Sequence, residues 1–299
     1  MDFLWTLESM RSPFLDTSFL WITRLGEEMI LILVFCTIFW CINKKVGYVI
    51  GFSFFMSSLL VQGLKIIHRV PRPWVYDPTF QPVDGAVGEA TGYAFPSGHT
   101  QNAAAYLGAL GSQIKRNIIR IVLFGLAILV GFSRLYLGVH YISDVVVSLA
   151  IAFAIVFIAT KVITDEPVSQ KRELLIASII IVVALIVIGI AAYVYHNGLT
   201  EPRQIRDATR AAAAAIAFAI GMYVERVHIR FSVKAKNIPM QVLKIVLGVA
   251  GVLALQEGLR VLGTALIPDA IRYFTMVIWV VLLYPLIIKR FFHPNKSAI

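Results

Sequence analysis

The chain has 299 residues, of which 59% are hydrophobic and only 15% charged, with a formal net charge of +10. A soluble domain carries about a quarter charged residues, so an ordinary soluble globule is excluded as the first reading. The basic residues stand singly or in pairs between apolar blocks rather than in a stripe. That argues against a nucleic-acid partner and matches the charge pattern that sets membrane topology.

Residues 1–27 come first and mix Trp5, Phe14, Phe19 and Trp21 with charges. They suit an amphipathic segment lying at the membrane interface. Arg11, Asp16 and Arg24 weigh against a tilted first span. Asp2 and Glu8 replace the basic start of a cleaved signal peptide.

Nine apolar blocks follow, roughly 28–43, 46–67, 99–114, 117–135, 140–162, 174–195, 207–226, 240–262 and 270–288. Each is near the ~20 residues that a spanning helix needs. The expected fold is therefore all-α: a polytopic membrane helix bundle of about nine transmembrane helices behind an N-terminal interfacial helix. The block at 99–114 is short and holds Gln101, Asn102 and Gln113, so it should face protein rather than lipid. Cys36 and Cys41 share the first block without sharing a helical face. They read as buried free thiols, too few for a metal site.

Three polar segments interrupt this pattern, all on one side of the membrane. Lys65, Arg72 and Pro73 end the second block, Pro96-Ser97-Gly98-His99 opens the third, and Ser133-Arg134 with His140 and Asp144 joins the fourth to the fifth. Lysine and two arginines converging at a membrane surface make an anion site, Arg by its bidentate fork and Lys as a point charge. The Ser97-Gly98 step precedes a helix, so its N–H groups can point at an anion. Each piece alone has a plainer reading, as a topology anchor or a helix cap.

The histidines add reactivity. His140 and Asp144, four residues apart, share a helix face. The carboxylate can accept the Nδ1 proton, leaving Nε2 as nucleophile. His99 can protonate a leaving alkoxide as general acid.

Taken together, the segments Lys-x6-Arg-Pro, Pro-Ser-Gly-His and Ser-Arg-x5-His-x3-Asp resemble the signature of the type-2 phosphatidic acid phosphatase superfamily, with all eleven specified positions met in order. That superfamily includes lipid phosphate phosphatases, undecaprenyl pyrophosphate phosphatases and glucose-6-phosphatases. The resemblance covers about residues 28–163 and implies roles by position. Lys65, Arg72 and Arg134 would bind phosphoryl oxygens, and Ser97 and the Gly98 amide would add hydrogen bonds. His140 would attack phosphorus and form a phosphohistidine. Asp144 would orient it, and His99 would protonate the leaving group and then activate water. No cofactor and no metal are expected, since the cations do the electrostatic work.

The chain then divides into an interfacial segment (1–27), a catalytic membrane core (28–163) and a C-terminal four-helix membrane extension (164–299). The expected function is hydrolysis of a lipid phosphate or pyrophosphate monoester at the non-cytoplasmic face of a bacterial plasma membrane. The partners are the phosphorylated lipid and membrane lipids, with the oligomeric state open. The alternatives are a soluble sugar-phosphate phosphatase, similar to glucose-6-phosphatase in topology, and an anion transporter. Charges gathered at one face rather than at the midplane count against transport.

Other polar residues read less sharply. His68 and Arg69 lie beside the first motif and could touch phosphate. Trp74, Tyr76, Tyr93 and Phe95 could shape an acyl-chain entrance or anchor the interface. Asp77, Asp84 and Glu89 read as solvated loop charges. The charged stretch from Glu201 through Arg203, Arg206 and Asp207 to Arg210 could cover the pocket or lie in solvent. Ala208–Ala219 offers a small-residue packing face.

Sixteen Lys and Arg residues, from Lys44 and Lys115 to Lys171, Lys234 and Lys296, fall on one side, and eleven, including the three motif cations, on the other. The positive-inside rule makes the larger set cytoplasmic and turns the motifs outward. Single cysteines at Gln81 and Ser169, in a background lacking Cys36 and Cys41, test this. An impermeant maleimide on intact cells should label position 81 and spare position 169; the reverse pattern puts the motifs in the cytoplasm.

Overall fold

The structure, a computed structural model, describes residues 1–292 except 89, 91, 201 and 264. Glu89, Glu201 and Lys296 therefore lie outside the described residues, as does the side chain of Arg203. The described residues form helices and connecting turns and contain no strand.

Two short helices open the chain, α1 (Asp2–Ser9) and α2 (Pro13–Thr23). Ser12 caps α2 by accepting from the Leu15 amide, and Pro13 fills the first turn, where a missing N–H costs nothing. After a tight turn at Arg24–Gly26 comes α3 (Glu28–Thr37), extended by a π-helical turn at Ile38–Ile42. The long helix α4 (Lys44–His68) is capped by Asn43 and ends at Arg69, whose left-handed backbone stops it. A single turn, α5 (Pro73–Tyr76), leads into the loop carrying residues 77–97. Then follow α6 (Gly98–Gln113), α7 (Asn117–Tyr136) and α8 (Ile142–Val162). The C-terminal part holds α9 (Gln170–His196), α10 (Pro202–Val224), α11 (Ile238–Gly258), α12 (Leu266–Ile278) and α13 (Tyr284–Phe291). Further π-helical turns lie at Glu225–Ile229 and Trp279–Leu283.

The chain is an integral, multi-pass membrane protein. Among the described residues, seven helices are long and apolar enough to cross a bilayer, or eight if residues 13–42 count as one span bent by 49°. The sequence count of about nine differs at two places. Residues 28–42 pass as a crossing only when taken together with residues 13–26, across the 49° bend. α6 has sixteen residues, at 1.5 Å each too short for the ~30 Å hydrocarbon core. As its glutamines imply, it is shielded by protein: Gln101 is buried and donates to Ser57 Oγ at 2.8 Å.

α4 stands at the centre, packed by α6 and α8 on one side and by α9 and α10 on the other. Small side chains allow this. Ser53 and Ser57 of α4 are fully buried, and Ala208, Ala212, Ala215 and Ala219 line the buried face of α10. The alanine face thus packs within the chain, against α4, α9 and α12. The cysteines are free, Cys36 buried and Cys41 partly so.

At the end of the bundle away from the motifs, buried charges tie the two halves together. Arg226 donates to Glu173 at 2.8 and 3.2 Å and to the Thr164 carbonyl at 2.9 Å. Glu225 accepts from Lys44 at 3.1 Å, from Tyr48, and from the Phe231 amide at 3.0 Å. Removing one member of a buried pair strands the other, at about 3–5 kcal/mol. Arg226→Leu should therefore lower the melting temperature in detergent markedly, and Arg226→Leu with Glu173→Leu should recover much of the loss. A double variant no more stable than the single one would show that the pair is not what Arg226 contributes.

Candidate active site

The motif segments meet because four helix ends converge: the C-termini of α4 and α7 and the N-termini of α6 and α8. The Ser97 amide donates to the Asp144 carbonyl at 3.2 Å, tying the start of α6 to α8. The turn between α7 and His140 needs Gly138, whose φ is +76° and whose missing Cβ leaves room for Phe80 and Arg11 at 2.7–2.9 Å.

Lys65, Arg72 and Arg134 are all buried, with 8%, 5% and 1% exposure. Buried cations need oxygen partners, and loop carbonyls supply them. Lys65 Nζ donates to the Tyr93 carbonyl at 2.7 Å, and Arg72 to the carbonyls of Gly92 at 3.2 Å and Val139 at 2.9 Å. Arg134 Nη1 donates to Thr23 Oγ1 at 2.8 Å. The 77–97 loop and the N-terminal segment thus hold the cations in place.

The tautomer of His140 follows from its neighbours. Arg72 Nη1 lies 2.8 Å from Nε2, and a guanidinium can only donate, so Nε2 carries the lone pair. The proton then sits on Nδ1, 3.2 Å from Asp144 Oδ2. That same carboxylate oxygen accepts from the Tyr141 amide at 2.9 Å, closing a capping box at the start of α8. One carboxylate therefore caps a helix and orients an imidazole. His140 lies between α7 and α8, fully buried. Burial, then the positive charges of Arg72, Arg134 and Lys65 and the ring of His99, drive its pKa well below the usual imidazole value.

His99 Nε2 is buried with no hydrogen-bond partner among the described residues. Its backbone packs flat against Gly26, where a Cβ would come within 2.6 Å of the His99 carbonyl oxygen. Asn102 donates to the Gly26 carbonyl at 3.0 Å and Tyr106 to that of Leu25 at 2.8 Å, clamping the α2–α3 bend onto α6.

Lys65, Arg72, Gly98, His99, Arg134 and His140 line one cavity of about 490 Å³, within the usual range for small-ligand sites. Ser97 and Asp144 stand behind this surface. Ser97 Oγ is fully buried and accepts from Thr100 Oγ1 at 2.9 Å, so it shapes the start of α6. His68 and Arg69 do not line the cavity: His68 packs edge-on to Phe95, and Arg69 turns back to the Ile66 carbonyl. Nor do Trp74, Tyr76, Tyr93 or Phe95. Of the charged C-terminal loop, Asp207 and Arg210 do reach the cavity. Thr23, Gly26 and Tyr273 carry no local signal in the sequence, because they lie far along the chain from the motif residues they meet.

Among the described residues, no group of three or more His, Cys, Asp or Glu side chains is placed to hold a metal ion. The site offers an anion cradle, an oriented neutral imidazole and a second imidazole with an open nitrogen.

Two family matches cover much of the chain. Residues 47–167 match the PAP2 superfamily, and residues 209–296 match the PAP2 superfamily phosphatase, transmembrane extension. Phosphatidylglycerophosphatase B of Bacillus subtilis is 28% identical over 130 residues, 40% of this chain and 61% of that protein. Phosphatidylglycerophosphatase B of Escherichia coli is 42% identical over 94 residues, 28% of this chain and 37% of that protein. An undecaprenyl-diphosphatase of Sulfolobus acidocaldarius is 27% identical over 138 residues, 44% of this chain and 63% of that protein. The chain therefore spans less than two thirds of each of these relatives.

Because His140 is held neutral, it should stay unprotonated as pH falls through 6.5, the value at which a free imidazole is half-charged. Nitrogen NMR of histidine-labelled protein at pH 6, with His140→Gln to assign the signal, should show a neutral ring protonated at Nδ1. A signal titrating near 6.5 would mean that neither burial nor the cation cluster acts on it as the structure implies.

Proposed function

Because this chain belongs to the PAP2 superfamily, we propose that it is a metal-independent membrane phosphatase acting on a lipid phosphate or pyrophosphate monoester. The observation that carries this reading is His140, neutral and oriented by Asp144, facing a buried cradle of three cations. The phosphoryl oxygens take the donors of Lys65, Arg72 and Arg134 and the amide at Gly98. As Arg72 turns to the phosphate, it releases the His140 Nε2 lone pair to which it donates. Nε2 attacks phosphorus in line, the P–O bond to the leaving alcohol breaks, and His99 supplies the proton. Water, activated by His99, then cleaves the P–N bond, releasing phosphate and regenerating His140. Spread over three cations, the transition-state charge is stabilised in a low-dielectric setting, where each donor counts for more than in water.

In the same reading, 1–27 is an interfacial segment, 28–163 the catalytic core and 164–299 an extension. The site faces away from the cytoplasm, in a bacterial plasma membrane. A lipid is favoured over a soluble sugar phosphate because the cavity is mostly apolar away from the cations.

The test is phosphate release by purified protein over diacylglycerol phosphate, phosphatidylglycerophosphate, polyprenyl pyrophosphate and glucose phosphate, with excess chelator present. Turnover should persist on at least one lipid and exceed that on glucose phosphate. His140→Ala should abolish it, at a loss above a thousandfold. A variant keeping a tenth of wild-type turnover would remove His140 as nucleophile. Loss on chelation, restored by magnesium or zinc, would overturn the metal-free mechanism.

A further inference from the structure

The cavity does not end at the cations. Along α4 it runs from Lys65 past Gln62 and Ser58 to Ile50. Those fifteen positions correspond to about 22 Å of helix at 1.5 Å per residue. Half of a bilayer measured across its headgroups is about 20–22 Å, so the cavity is as deep as one leaflet. Its polarity falls along its length as a lipid's does, from the cations at one end to Phe55, Val280 and Val281 further along.

One wall comes from the helices of the core, α3 and α4. The facing wall is built by the C-terminal helices, with Ala211 and Ala214 of α10 and Tyr273 and Met276 of α12. Alanines leave the room that the cavity occupies. Beside the cation end, Arg210 joins the two C-terminal helices, donating to Asp207 at 3.2 Å and to Asp269 at 3.0 Å. This charged collar on α10 and α12 opens into the same cavity as the phosphate cradle, and apolar wall begins one turn below it.

We infer that the C-terminal helices form the chain-binding wall of the site: one acyl chain of leaflet length lies in the cavity between α3–α4 and α10–α12, and the small side chain of Ala214 lets that chain pass mid-depth. The inference rests on the phosphatase reading. Continuity of the apolar wall with the phosphate cradle argues for the substrate's own tail as occupant. Ala214 lies seven residues below Asp207, about 10 Å along α10, so a large side chain there would divide the cavity at mid-depth. A polyprenyl tail, much longer than a leaflet, would overrun the floor at Ile50.

The experiment compares kcat/KM for two single-chain glycerol phosphates, one hexanoyl and one palmitoyl, in detergent. In the wild type the palmitoyl ester should be preferred. Ala214→Phe should lower the palmitoyl-to-hexanoyl ratio at least tenfold. Ile32→Trp, which intrudes from the α3 wall, should shift the ratio in the same direction and serves if the first variant does not fold. A ratio within twofold of wild type, in either variant that retains turnover, overturns the chain-binding wall alone. A wild type that releases phosphate from neither ester, nor from any lipid phosphate, overturns the phosphatase reading itself.

Discussion

Three cations buried at one end of an apolar bundle are the constraint around which this molecule is arranged. A charge removed from water is tolerated only when its donors are met. Here the partners are mostly neutral oxygens: carbonyls of Gly92, Tyr93 and Val139 and the hydroxyl of Thr23. These carbonyls and this hydroxyl meet donors of the three cations without adding negative charge of their own. Among the described residues the carboxylate in direct contact with His140 is Asp144, which faces Nδ1 and the Tyr141 amide that precedes α8.

The same need explains parts of the chain that hold no motif. The 77–97 loop brings the carbonyls of Gly92 and Tyr93 to Arg72 and Lys65. The N-terminal segment turns sharply at Gly26 because only a residue without Cβ can lie against the His99 backbone. Arg11 reaches the carbonyls of Gln81 and Tyr136, and Tyr136 donates to Asp16 at 2.7 Å. These contacts fasten α1 and α2 over the turn that presents His140.

Much of this was legible in the sequence where the signal is local. The motif spacings placed Lys65, Arg72, His99, Arg134 and His140 together, and the structure lines one cavity with them. The polar side chains of the third block correctly implied a helix shielded by protein. What escaped was long-range. A 49° bend between α2 and α3 and a sixteen-residue α6 alter the count of crossings, and block hydropathy cannot sense either. His68 and Arg69 share the first motif's neighbourhood in sequence, but α4 ends at the left-handed Arg69 and turns both away. The apolar wall contributed by α10 and α12 has no motif at all; alanines and valines in a span look the same whether they face lipid, protein or a cavity.

The buried pair between Arg226 and Glu173 also bears on how the chain holds together in the bilayer. Glu173 begins α9 and Arg226 follows the end of α10, so the pair closes the base of an antiparallel hairpin. Either helix without the other would leave a charge in an apolar setting without its counter-ion. The pair therefore makes α9 and α10 a single unit of stability in the bilayer, two helices of one hairpin held at its base.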